Sequence, residues 1–239
     1  MKKLDKIVIN NITIRNLEPT KKNFINKNFK FSAKGYLNDK KVKIFEVLDK
    51  NQGKLREFIS NHNQLSIFFP KLISYDEKYV VEEWVYGKTL KELNLQHKNN
   101  IKYSSQLIEI LNLMWSVDYD EQVFDYIKYI HNRVNMNNNF NLTKIPMRIN
   151  HNDLSLDNLL VSETGLKIID NELLGCNNGW ILNTKNSFLK EDFGYQNYIS
   201  KDILDELWNV RMKWSKIVNK NSNKKNNYLK ILLQKLKII

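Results

Sequence analysis

The chain has 239 residues, 42% of them hydrophobic, enough to bury a core as one large domain or as two small lobes sharing a cleft. A single cysteine, Cys176, excludes an intrachain disulfide and a cysteine metal centre, which points to a reducing compartment. The net charge of +12 sits in the tail: residues 209–239 hold nine Lys or Arg and no acid, leaving +3 over the rest. Such a tail suits nucleic acid or an anionic membrane; heavy Lys and Asn use along the whole chain is the plainer account.

In chain order, "KIVINNITIR", "NFKFSAKGYL" and "KVKIFEV" alternate polar and apolar residues with period two, which predicts β-strands. No apolar h-region follows the N-terminus, and no stretch nears the ~18 apolar residues that span a bilayer, so a cytoplasmic protein is expected. "LNDKK" predicts a hairpin turn, with Asn38 and Asp39 suited to positive φ. "NQGKLREFISNHNQL" offers a rough helical face of Leu55, Phe58, Ile59 and Leu65. "FFPKLIS" and "KYVVEEWV" read as short strands, and "VYGKTLKEL" as a turn through Gly87 into a helix. "YSSQLIEILNLMWSV" and "EQVFDYIKYIHNRV" have amphipathic helical spacing. "SKDILDELWNVRMKWSKIV" and "NYLKILLQKLKII" follow as closing helices, and the Asn-rich "NMNNNFN" and "NKNSNKKNN" are loops or linkers. The expected plan is α+β, with a small β-rich lobe carrying one helix over 1–84 and a helical lobe over 85–219. A basic linker and helix over 220–239 completes it. Ligands favour the cleft between such lobes.

The helical half is interrupted from Ile149 to Gly175 by "INHNDLSLDNLLVSETGLKIIDNELLG". His151, Asp153 and Asn158 form H-x-D-x-x-x-x-N, and Asp170 ends an apolar strand twelve residues after Asn158. Phosphoryl transfer needs a carboxylate to orient and deprotonate a hydroxyl, plus oxygen ligands for Mg²⁺ bridging nucleotide phosphates. An Asn amide and an Asp carboxylate suit hard Mg²⁺. A tight loop followed by a strand hairpin can bring Asp153, Asn158 and Asp170 to one point.

"HNDLSLDN" and "IIDNE" resemble the H-G-D-x-x-x-x-N and I-D-[FW]-[DE] motifs of the aminoglycoside phosphotransferase and choline kinase branch of the protein-kinase-like superfamily. The resemblance runs from about residue 30 to 174, more weakly outside this stretch. Asn152 and Asn171 depart from it, the latter replacing an aromatic packing residue. The resemblance implies a two-lobed protein-kinase-like fold and transfer of the ATP γ-phosphoryl group. Asp153 is then the base, Asn158 and Asp170 hold Mg²⁺, and His151 braces the loop. It also implies that Lys43, with Lys41 as competitor, contacts phosphate and pairs with Glu57 on the following helix. Glu83, Trp84 and Val85 would flank the adenine as the connector between lobes. Asp157 is read as a turn residue or a further metal ligand, Glu172 as touching metal or substrate, and Trp180 as lining the acceptor pocket. The phosphate-covering loop departs most, since only Gly35 lies near it and "NLEPTKKNFINKN" has no glycine.

The acceptor is left open. Asp118, Asp120, Glu121, Glu191 and Asp192 would suit a polycationic aminoglycoside, or are solvated helix ends. The basic tail suits peripheral contact with an anionic membrane and a lipopolysaccharide or glycolipid sugar. A sugar-type hydroxyl is preferred, and nucleic acid is not the expected partner. A Ser/Thr protein kinase and a pseudokinase binding module are the alternatives.

Overall fold

Alternating isoleucines open the fold as two strands where the pattern predicts one. β1 (Lys6–Ile9) and β2 (Ile12–Pro19) are joined by Asn10 and Asn11, at φ 44° and 67°. Asn tolerates this left-handed region, and such a pair makes the tight turn that suits strand twist. The computed structural model describes residues 6–19, 31–93, 101–134, 140–186 and 193–217. Asn38 and Asp39, at φ 46° and 63°, close the expected hairpin between β3 (Ser32–Leu37) and β4 (Lys40–Glu46). α1 (Gln52–Asn61), β5 (Leu72–Tyr75) and β6 (Tyr79–Glu83) follow. The antiparallel sheet runs β1-β2-β3-β4-β6-β5.

Period two divides β4 by face. Val42 and Ile44 pack with Ile9, Ile14 and Ala33, while Phe45 on the other face packs with Val80. Lys43 shares the face of Phe45 and lies directly opposite Glu82 in the β4–β6 register. The central strand pair therefore presents a cation and a carboxylate side by side toward α1 and the rest of the chain.

The segment "VYGKTLKEL" is not a helix. Lys88–Thr89 form a short strand, β7, paired with β9 (Leu159–Ser162). Leu90 N–H donates to Leu159 O at 2.8 Å and Lys91 N–H to Leu156 O at 3.2 Å. These backbone groups are thus claimed by the segment carrying the H-x-D-x-x-x-x-N motif, and helical bonding loses. Gly87, at φ 156°, lies so close to the Val161 carbonyl that a Cβ would collide with it.

α2 (Ile101–Ser116) fits its periodicity. α3 (Tyr126–Val134) starts five residues later than "EQVFD" suggests. Val123 bridges to Cys176, and Asp125 caps the helix by accepting from Lys128 N–H at 3.0 Å. Next come β8 (Arg148–His151), β9, β10 (Gly165–Ile168), β11 (Leu174–Asn177) and a last helix, α4, over 201–217. One core cluster joins Leu55 and Ile59 of α1 to Leu107 and Leu111 of α2, Ile149 of β8 and Leu207 of α4. Among the described residues no helix is long and apolar enough to cross a membrane. The expected closing helix and basic tail over 220–239, the glycine-free segment 20–30, and Glu191 and Asp192 lie outside the described residues.

Candidate active site

The motif loop is held from behind. β8 pairs with β11 so that His151 faces Leu174 and Asn150 faces Gly175. Buried between them is a chain of asparagines: Asn183 Nδ2 donates to Asn150 Oδ1 at 2.6 Å, Asn150 Nδ2 to Asn152 Oδ1 at 2.7 Å, and Asn152 Nδ2 to Leu173 O at 2.7 Å. All three side chains are buried, where a satisfied polar network fixes one conformation. Asn152 is therefore a tie between the loop and the segment after Asp170.

The β9–β10 hairpin returns Asp170 to Asn158. Ile169 N–H donates to Asn158 O at 2.9 Å, and His151 Nε2 donates to Ile169 O and Asp170 O, both at 3.1 Å. Carbonyls only accept, so His151 carries its proton on Nε2 and acts as the expected brace. Asp170 is held at φ 68°, ψ 49°, a left-handed conformation uncommon for a non-glycine residue and frequent where function constrains the backbone. Asn158 Nδ2 donates to Asp153 O at 2.7 Å and to Asp153 Oδ2 at 3.3 Å, coupling the two motif residues. With the amide nitrogen so committed, the atom of Asn158 suited to a hard cation is its oxygen.

Between the lobes lies a cavity of about 430 Å³ lined by Lys43, Glu82, Trp84, Val85, Asn158 and Asp170, among others. Lys43 Nζ stands 2.5 Å from Asp170 Oδ1 and 2.9 Å from Glu172 Oε1. Burial pulls its pKa down, but the charges of Asp170 and Glu172 win and hold the ammonium above its ordinary value. Glu172 also accepts from Ser32 Oγ at 2.8 Å. Burial, then the Asp170 charge, pushes its carboxyl up to about 7 against the pull of Lys43. Lys41, the competitor, places its ammonium 4.0 Å from the centre of the Trp84 ring, away from these carboxylates.

Glu57 is not the partner of Lys43. It is exposed and accepts from the Tyr75 hydroxyl at 2.6 Å. The buried residues of α1 are Gln52, Gly53, Leu55, Arg56 and Ile59, and Glu57 is turned outward. Arg56 donates to Glu82 Oε1 at 2.6 Å, each side chain 1% exposed. Asn171 Nδ2 donates to both Glu82 oxygens, at 3.1 and 3.2 Å. Asn171 thus replaces an aromatic with a hydrogen-bond donor matched to a buried carboxylate. The 52/55/56/59 spacing is visible in the sequence and would have singled out Arg56; nothing local marks Glu82 or Glu172 as its counterparts.

Among the other expected residues, Glu83 N–H donates to Lys71 O at 2.9 Å and Trp84 N–H to Lys41 O at 3.2 Å, so those two amides continue the pairing of β6 with the strands on either side. Val85 is the first connector residue beyond these bonds and lines the cavity. Asp157 accepts from Lys91 at 2.8 Å on the surface as well as reaching the cavity wall. Gly35 is a strand residue packed against Ile14. Trp180 lies in the core, 2% exposed, donating to Pro146 O at 2.9 Å and packed on Trp115. The turns following β11 bury it against Trp115 of α2. Asp118, Asp120 and Glu121 are exposed.

Asp153 keeps 43% of its side chain exposed and meets Arg211 of α4, whose Nη2 lies 3.8 Å from Oδ1. Spacing within the motif says nothing of this arginine, which arrives 58 residues later.

The donor chemistry fits Mg²⁺ and a nucleotide. Among the described residues no cluster of three or more His, Cys, Asp or Glu could hold a metal alone. An Asn and an Asp suit an ion that completes its shell with water and phosphate oxygens. The aromatic and apolar connector wall suits a base.

The fold is the two-lobed protein-kinase-like fold of aminoglycoside phosphotransferases and choline kinases. The structure of aminoglycoside phosphotransferase APH(4)-Ia superposes with a TM-score of 0.51 at 9% identity, covering 90% of this chain and 89% of that one. A thermostable mutant of that enzyme, in a ternary complex with AMP-PNP and hygromycin B, gives 0.52 at 10% identity over 90% and 89%. Choline kinase LicA from Streptococcus pneumoniae gives 0.51 at 12% identity over 89% and 87%. No protein-family model matches the sequence, and neither does any curated protein.

Proposed function

We propose that this protein transfers the γ-phosphoryl group of ATP to a hydroxyl of a small-molecule acceptor, a sugar-type hydroxyl in the first instance. The observation that carries this reading is the meeting of Lys43, Asn158 and Asp170 around one interlobe cavity, with Asp153 hydrogen-bonded to Asn158 beside it. The fold shared with an enzyme crystallised with AMP-PNP and hygromycin B supports ATP as donor.

Mg-ATP, when bound, supplies the phosphoryl group and the metal charge that offsets its oxygens. Trp84 and Val85, which line the cavity, would flank the base. Asn158 and Asp170 offer hard oxygens to the metal, and Lys43 carries the positive charge for the phosphates. Glu172 takes the positioning role expected of Glu57 and holds the ammonium in place. Asp153 would orient the acceptor hydroxyl and take its proton as that oxygen bonds to the γ-phosphorus and the bond from phosphorus to the β,γ-bridging oxygen breaks, ADP leaving; its exposure lets it meet a substrate arriving from solvent. In this reading residues 1–84 form the nucleotide-side lobe, 85–219 the acceptor-side lobe and 220–239 a basic tail. Peripheral contact with an anionic membrane rests on the charge of that tail.

The test is transfer of ³²P from ATP with Mg²⁺ to a panel of sugars, aminoglycosides, choline and glycolipid fractions. Asp153→Asn should lower turnover by about 10²- to 10⁴-fold with ADP affinity intact. Asp170→Ala should remove the Mg²⁺ dependence of nucleotide binding. Absence of both transfer and nucleotide binding would overturn the reading.

A further inference from the structure

The acceptor side of Asp153 carries a fixed cation. Arg211 Nη2 lies 3.8 Å from Asp153 Oδ1, beyond hydrogen-bond reach, so the ion pair leaves the carboxylate able to accept from a substrate hydroxyl. The guanidinium is mostly covered: its side chain is 16% exposed, its Cζ lies 5.1 Å from the Trp208 ring centre, and the buried Tyr126 hydroxyl feels its charge. A second guanidinium stands nearby. Arg133 Cζ is 3.5 Å from the centre of the Tyr129 ring, and the Tyr129 hydroxyl feels the charges of both Arg133 and Asp153. A substrate hydroxyl presented to Asp153 therefore enters beside a partly buried, planar, five-donor cation. An amine acceptor would bring like charge against it, whereas a carboxylate or phosphate matches its fork.

We propose that the acceptor carries an anionic group, a carboxylate or a phosphate, beside its reacting hydroxyl, and that Arg211 receives it. This deepens the phosphotransferase reading and rests on it. Arg211 is a binding and orienting residue: holding the anion brings the neighbouring hydroxyl to Asp153. An anionic acceptor also sets this site apart from the acidic pocket that the surface residues Asp118, Asp120 and Glu121 would have made for a polycation.

Binding can be read without turnover. Ligand-observed NMR on the full chain with Mg²⁺ and AMP-PNP compares D-glycerate and gluconate, as carboxylates, with glycerol 3-phosphate and glucose 6-phosphate. Glycerol and glucose serve as neutral controls, choline and hygromycin B as cations. At least one anionic class should bind, and the carboxylate and phosphate arms decide which. Arg211→Gln should weaken that binding by about 10- to 100-fold, the scale of a charge-assisted hydrogen bond, and Arg211→Lys should recover part of it. A matching thermal melt shows that the variants fold. Where turnover is seen, the loss should fall on KM more than on kcat. Preference for choline or hygromycin B, or anion binding unchanged in Arg211→Gln, overturns the proposal and leaves phosphotransfer standing. Anion binding through Arg211 with neither transfer to any acceptor nor nucleotide binding sinks phosphotransfer instead and upholds the subsite.

Discussion

Lys43 and Asp170 are 127 residues apart in the chain and 2.5 Å apart in space. The pair joins the central strand of the N-terminal sheet to the end of the β9–β10 hairpin, so it stitches the two lobes at the cavity. Its geometry is imposed from both sides: β4 alternation points Lys43 inward, and His151 fixes the backbone carbonyl of Asp170. Lys43→Met would leave Asp170 and Glu172 facing each other without a cation. The expected outcome is a loss of about 1–3 kcal/mol in urea unfolding, below the full figure for a buried pair because both side chains keep some exposure. ADP affinity, measured by calorimetry, should fall at least about tenfold.

Glu172 makes stability pH-dependent in an unusual direction. Its folded pKa is about 7, against an ordinary value of 4.5, so between those values the folded chain binds more protons than the unfolded one. Stability from this group is then present at low pH and lost as pH rises through about 7, by roughly 1–3 kcal/mol. Glu172→Gln should abolish that part of the slope. Urea midpoints of the two proteins should converge near pH 5 and separate by pH 8, with the variant the more stable; parallel curves would contradict the raised pKa.

Arg56 and Glu82 form a pair sealed from solvent. Arg56→Met should cost about 3–5 kcal/mol, because it strands a buried carboxylate beside Asn171. Restoring charge balance with Glu82→Gln in the same chain should recover part of that loss. Glu57→Gln, by contrast, should change stability by no more than about 0.5 kcal/mol and leave ADP affinity unchanged, since that residue is exposed on the other side of α1. Equal effects of the Arg56 and Glu57 substitutions would refute this division of the helix.

Asn150 is the middle link of the buried amide chain. Asn150→Ala removes the partners of Asn152 and Asn183 together and should destabilise the protein by about 2–4 kcal/mol, as buried polar groups lose their bonds. Because Asn152 precedes Asp153, turnover should fall further than nucleotide affinity. Chemical denaturation and steady-state kinetics on the same preparation separate the two effects.

Elements governed by local rules were legible in the chain. Period-two alternation marks β1 through β4, Asn38 and Asp39 mark a turn that needs positive φ, and His151, Asp153, Asn158 and Asp170 carry spacing that brings them together across one loop and one hairpin. Local rules failed where the backbone had a distant competitor. The helix expected after Gly87 gives way to pairing with β9, and α3 loses its first turn to the Val123–Cys176 bridge.

Sequence alone therefore determined the residues around Asp153 and the lobe to which Lys43 belongs, because strand period, turn chemistry and motif spacing act over a few residues. Tertiary structure decided the partnerships: Lys43 with Asp170 and Glu172, Arg56 with Glu82, Arg211 with Asp153. A charged side chain takes its partner from whatever group the packing of lobes and helix faces brings within a few ångströms, and that distance is written in no local pattern.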